Sequence, residues 1–104
     1  MTEQTIHTVV FKSGDWWIIQ GLEYDFATCT KRLEDVPGEL RRWLLVLFAA
    51  SQKYGIEPFT SYSPAPRRFW KMYETATPWP ESIPVIELPE SLGPGPAVET
   101  RLAA

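Results

Sequence analysis

The chain of 104 residues carries a formal charge of −3, a pI near 5.1, 13 per cent aromatic residues, one cysteine and one histidine. A chain of this length supplies one modest core and no second independent domain, burying roughly two thirds of the surface that its unfolded form exposes. The acidic balance gives no global attraction to phosphate, and the longest apolar run, Trp43 to Ala50, falls well short of the roughly twenty residues a membrane-spanning helix needs.

Thr5 to Lys12 is β-branched and aromatic, Ser13-Gly14 supplies turn chemistry, and Trp16 to Leu22 resumes the strand pattern, so the chain opens with a β-hairpin. Because side chains alternate along a strand, Trp16, Ile18 and Leu22 share one face while Trp17 and Ile19 share the other. Val9 and Phe11 oppose Val10 in the same way. Neither face is polar, and both require cover. Tyr24 to Thr30 is the expected third strand, antiparallel to the second.

A long helix follows, with Asp35 as the expected N-cap and Pro37 in the first turn, where its missing amide hydrogen costs little. A start two or three residues earlier fits equally well. Val36, Leu40, Trp43, Leu44, Leu47, Phe48 and Ser51 recur at three-and-four spacing and form the core-facing stripe. Gly55, after Tyr54, suits the left-handed stop. Leu45, Val46, Ala49 and Ala50 widen the stripe, so the helix is expected to pack on the sheet and also against a short second helix. That helix is expected from Pro66 to about Ala76, with Phe69, Met72 and Tyr73 at core spacing. Pro78, Pro80, Pro84, Pro89, Pro94 and Pro96 then punctuate an extended tail. Its Ile83 to Leu88 stretch is a candidate edge strand, and Ser91 to Ala104 is expected to be disordered.

Little catalytic chemistry is legible. His7 is the lone histidine and sits in a strand, where a structural or surface role is the ordinary one, and zinc would need three or four His and Cys ligands at motif spacing. Asp15, Glu23 and Asp25 read as solvated loop carboxylates, and Cys29 as an unactivated thiol. No phosphate-cradling glycine loop is present. Arg67, Arg68 and Lys71, interleaved with Phe69, Trp70 and Tyr73, match an aromatic-plus-arginine nucleic-acid surface. A plain amphipathic helix gives the same string.

Val10 to Asp25, followed by Thr28-Cys29-Thr30 and by Leu33-Glu34-Asp35-Val36 leading into a helix, resembles the HicB-like antitoxin domain over about residues 5 to 54. The resemblance implies a β-β-β-α core without enzymatic activity that binds and blocks a small RNA-cleaving toxin and commonly self-associates. Antitoxins of this family usually carry a DNA-binding segment after the core. Here the Pro66 to Ala76 helix and the proline-rich tail stand in its place, so the resemblance is to a stand-alone form of the domain and does not imply DNA binding.

The expected fold is α+β: a three-stranded antiparallel sheet packed by one long helix, with a short second helix and an extended tail. Residues 1–76 form the HicB-like domain and 77–104 the proline-rich tail. The expected function is a cytoplasmic, non-enzymatic protein-binding module that needs no cofactor or metal and forms homo-oligomers. Trp16, Trp17, Glu23 and Asp25 are its candidate contacts for a basic protein such as a small toxin. The alternatives are a nucleic-acid binder using Arg67, Arg68, Trp70 and Lys71, and an inert small domain.

Overall fold

The computed structural model describes residues 5–55, 62–80 and 97–103. β1 (Thr5–Ser13) and β2 (Trp16–Gly21) form the expected hairpin, in register from Thr8 opposite Gly21 to Ser13 opposite Trp16. Gly14 takes a φ of +60° in the two-residue turn, a conformation that costs glycine nothing and other L-residues a steric penalty. β3 (Ala27–Thr30) pairs antiparallel with β2, starting three residues later than the sequence pattern places it. Phe26 is drawn back instead, its carbonyl accepting from the Gly21 amide at 2.9 Å. Its ring lies so close to Gly21 that a Cβ there would stand 2.3 Å from Phe26 Cε1.

A 3-10 turn (Leu33–Asp35) leads into α1 (Val36–Tyr54), which ends at Gly55 with a φ of +64°. The stripe is buried as its spacing requires. Val36, Leu40 and Leu44 are fully buried against Ile6, Val10, Ile19 and Phe26, with Trp43, Leu47 and Phe48 packed around them. Each fully buried Val, Leu or Ile contributes about 1.5–3 kcal/mol relative to exposure.

Two expectations are corrected. The sheet has five strands in the order β3-β2-β1-β5-β4 and is mixed: β5 (Ala97–Ala103) runs parallel to β1, and β4 (Thr77–Pro78) caps it antiparallel. Residues 97–103, expected to be disordered, thus form a seven-residue strand. Val98 and Leu102 alternate with Glu99 and Arg101, and Val98 and Leu102 pack on the α1 side of the sheet. The candidate strand Ile83 to Leu88 lies outside the described residues.

The second correction concerns α2 (Arg67–Thr75), which takes Pro66 as its N-cap. It packs on the opposite face of the sheet from α1, in a separate core of Val9, Leu22, Ala65 and Tyr73 edged by Phe69, Trp70 and Met72. The chain reaches that face by wrapping round the end of the sheet. Tyr62 packs edge-on against Trp43 on the α1 side, Ser63 accepts from the Asp25 amide at 2.6 Å, and the Ala65 amide donates to Leu22 at 2.8 Å. α2 therefore covers surface that the hairpin leaves bare, while Val46, on the outer side of α1, stays 61 per cent exposed.

Candidate functional site

The strand registers divide the side chains cleanly. Trp17, Ile19, Thr28 and Thr30 stand on the α1 side with Val10, whereas Trp16, Ile18, Gln20, Ala27 and Cys29 share the α2 side with Val9 and Phe11. α2 lies over β1 and β5, where Phe69 stacks on Phe11 with ring centroids 5.9 Å apart. The α2 side of β2 and β3 is covered only in part, with Gln20 buried and its neighbours towards Trp16 and Cys29 more exposed. Trp16 is 42 per cent exposed there, beside half-buried Ile18 and exposed Ala27 and Cys29. Lys31 lays its ammonium 4.1 Å from the Trp16 ring centroid, a cation–π contact at the margin of this patch.

The exposed part of this face adjoins a backbone edge with which no described strand pairs. The Gly21-to-Phe26 bond fixes the phase of the β2–β3 ladder, in which hydrogen-bonded and non-bonded pairs alternate. Thr28 and Thr30 therefore point their backbone groups at β2, and those of Ala27 and Cys29 point outward. Asp25, next in the outward series, is already covered by Ser63. From Ala27 on, the outward groups have no strand partner among the described residues. On the α1 side the strand is pinned by the Thr28 hydroxyl donating to Glu39 at 2.6 Å, and Arg42 closes on the same carboxylate at 2.7 Å. The Arg42 hydrogen bond holds the Glu39 carboxyl below its ordinary value, helped by Thr28 and opposed by burial.

The four candidate contacts do not form one site. Trp16 belongs to the open patch, while neighbouring Trp17 turns to the other face and packs on the α1 core, with Lys12 Nζ 5.7 Å from its ring centroid. Glu23 lies seven residues from Trp16, roughly 20 Å along an extended strand, and is engaged internally. It accepts from the His7 amide at 2.7 Å and meets His7 Nδ1 at 2.5 Å. Asp25 is exposed and accepts from Gln20 Nε2 at 2.7 Å. The acidic turn and the tryptophan patch are separate features.

A cluster that the sequence reading did not assemble sits across β1 and β5. Their parallel register sets Glu99 against His7, so the imidazole lies between Glu23 on Nδ1 and Glu99 at 3.3 Å from Nε2. Tyr73 stands edge-on to the His7 ring at 5.4 Å, and the Arg101 guanidinium covers the tyrosine ring at 4.3 Å. Burial pushes the Tyr73 phenol up, as do Glu99 and Glu23, against the pull of Arg101. The two ring nitrogens of His7 point in opposite directions, so the carboxylates cannot converge on one ion. Among the described residues no group of three or more His, Cys, Asp and Glu is placed to hold a metal. The cluster acts as a clip that ties β5 and the acidic turn to β1. Its only signal in the sequence is the alternation of Val98, Thr100 and Leu102 with Glu99 and Arg101.

On α2, Arg67, Arg68 and Lys71 are exposed, but Phe69, Trp70 and Met72 pack into the core beneath, and Arg68 lies 4.6 Å over the Phe69 ring. Charge faces outward, and half-buried Phe69 and Trp70 lean on the core, the arrangement of an amphipathic helix. A cleft of about 400 Å³ between α2 and the end of β1 is lined by Phe11, Lys12, Met72, Thr75, Thr77 and Ala103, with Lys12 the one ionisable group among these described residues. Among the described residues, no helix is long and apolar enough to cross a membrane. Comparisons with protein-family models, with curated proteins and with solved structures give no match to this chain.

Proposed function

We propose that the protein is a non-enzymatic protein-binding module whose contact surface is the open half-face of β2 and β3 together with the outer edge of β3. The supporting observation is the uneven cover of the sheet among the described residues: α2 packs on the β1–β5 half, while half-buried Ile18 and exposed Trp16, Ala27 and Cys29 share that side of β2 and β3, whose outer edge no described strand pairs with. An aromatic residue framed by smaller apolar groups and a polar rim fits a protein contact. A strand edge adds main-chain hydrogen bonds to that contact. The HicB-like resemblance of residues 5–54 supports a binding rather than a catalytic role, antitoxin-like or self-associating. The cytoplasm suits the single free Cys29.

The experiment is a photo-crosslinker attached to Cys29 of the full chain in its source cells, with the same label on Lys53→Cys in a Cys29→Ser background as the control. A discrete protein adduct formed from Cys29 and absent from the control supports the reading. The absence of any Cys29-specific adduct, with a second copy or with another protein, overturns it and leaves an inert small domain.

A further inference from the structure

β5 is held differently on its two sides. On the α1 side Val98 and Leu102 pack on the larger core, and the Thr100 hydroxyl meets that of Thr8 at 2.7 Å. On the α2 side the register with His7, Val9 and Phe11 places Ala97, Glu99, Arg101 and Ala103, so the two long side chains there are both charged. Arg101 covers the Tyr73 ring and donates to the Tyr73 carbonyl at 3.3 Å, while Glu99 reaches His7. We infer that His7 is a proton-operated latch for this strand: as the imidazolium it holds Glu99, and on losing its second proton it loosens β5 from β1.

An imidazolium carries two N–H donors, whereas the neutral ring carries one donor and one lone pair. His7 faces a carboxylate with each nitrogen, Glu23 at 2.5 Å from Nδ1 and Glu99 at 3.3 Å from Nε2. Only the charged ring gives both of them a donor. Glu23 holds the first claim on a single remaining proton, because its other oxygen accepts from the His7 amide at 2.7 Å and fixes the carboxylate against the ring. The neutral ring therefore turns a lone pair on Glu99.

The other groups facing the ring do not replace the lost charge. Tyr73, from α2, stands edge-on at 5.4 Å, and its phenol, pushed up by burial, stays neutral where histidine titrates. Arg101, on β5 itself, is engaged with that same tyrosine. Two carboxylates are then left on either side of an uncharged ring. Docking of β5 thus takes up a proton and weakens as pH rises through the histidine range. Outside β5 the sheet continues only with the two-residue β4 among the described strands. The strand can therefore open while the ladder of β1, β2 and β3 stays closed.

Amide exchange of the full chain between pH 5.5 and 7.5 tests the latch, each rate being corrected for the intrinsic pH dependence of exchange and the β2 amides serving as internal reference. Opening of residues 98–102 relative to β2 is expected to grow roughly two- to fivefold over that range, the size that a partly exposed ion pair supports. Glu99→Gln, at a position 62 per cent exposed, is expected to fold normally and to flatten the profile. His7→Gln is expected to do the same, and Asp15→Asn, in the hairpin turn, to keep the wild-type profile. A flat profile in the wild type overturns the inference. So does a profile that rises equally in Glu99→Gln, which would assign the pH dependence to another group. Should His7→Gln fail to fold, Glu99→Gln decides the matter alone.

Discussion

The two faces of one sheet are finished to different degrees. On the α1 side, Ile6, Val10, Ile19, Val36, Leu40 and Leu44 are all fully buried, and the long helix contacts both β2 and β3. On the α2 side a nine-residue helix packs mainly on β1 and β5, and Trp16 is 42 per cent exposed. Helix length decides the difference. α1 rises about 28 Å over its nineteen residues and α2 about 13 Å at 1.5 Å per residue, so the shorter helix has less apolar length to lay on its side of the sheet. The larger buried cluster therefore lies on the α1 side of the sheet and the smaller one on the α2 side, beside exposed Trp16.

Mutations break this comparison at different strengths. Leu44→Ala on the closed face is expected to cost about 2–5 kcal/mol through lost burial and a residual cavity, measured by urea unfolding. Gly21→Ala comes next. Its Cβ would meet the Phe26 ring at 2.3 Å and the Tyr24 carbonyl oxygen at 2.6 Å, so overpacking is expected to cost about 1–3 kcal/mol. On the open half, Trp16→Ala is expected to cost less than about 1 kcal/mol, chiefly the exposed contact with Lys31. A Trp16→Ala loss equal to that of Leu44→Ala would show that the patch is core and not contact surface.

A smaller effect lies at the Glu39 bridge between β3 and α1. The folded-state pKa of Glu39 is held below its ordinary value of 4.5, so the stabilisation is complete above that value and is lost as pH falls through the lower folded value. Its size is below about 1 kcal/mol, as for other partly exposed pairs. The difference in melting temperature between the wild type and Glu39→Gln is expected at neutral pH and to vanish at the acid end of a pH series. Smallest of all is Tyr73→Phe. The Tyr73 hydroxyl is buried and has no hydrogen-bond partner among the described residues, so its removal is expected to leave stability within about 0.5 kcal/mol or to raise it. The phenol's raised pKa also means that wild-type stability falls as pH climbs above about 10, a loss that Tyr73→Phe is expected to reduce.

The hairpin, the facing of Trp16 against Trp17, the α1 stripe and its glycine stop were legible because each is written in local periodicity and turn chemistry. β5 was not. Its alternation of Val98, Thr100 and Leu102 with Glu99 and Arg101 follows a proline-rich stretch, and its partner β1 lies more than ninety residues away in sequence, as the Thr8–Thr100 hydroxyl contact at 2.7 Å records. The placement of α2 was misread for a related reason: an amphipathic pattern reports that one side is buried, not which surface buries it. The cluster of His7, Glu23, Tyr73, Glu99 and Arg101 depends on both of those long-range choices. The open patch depends on how far α2 extends across the sheet, which no local pattern encodes.

Amide exchange along β3, followed residue by residue in a dilute sample, tests the unfinished side most directly. Slow exchange at Thr28 and Thr30 with fast exchange at Ala27 and Cys29 is the predicted pattern of a strand bonded on one side only. Protection of all four to the same degree would mean that the chain already covers its own edge, and would contradict the account.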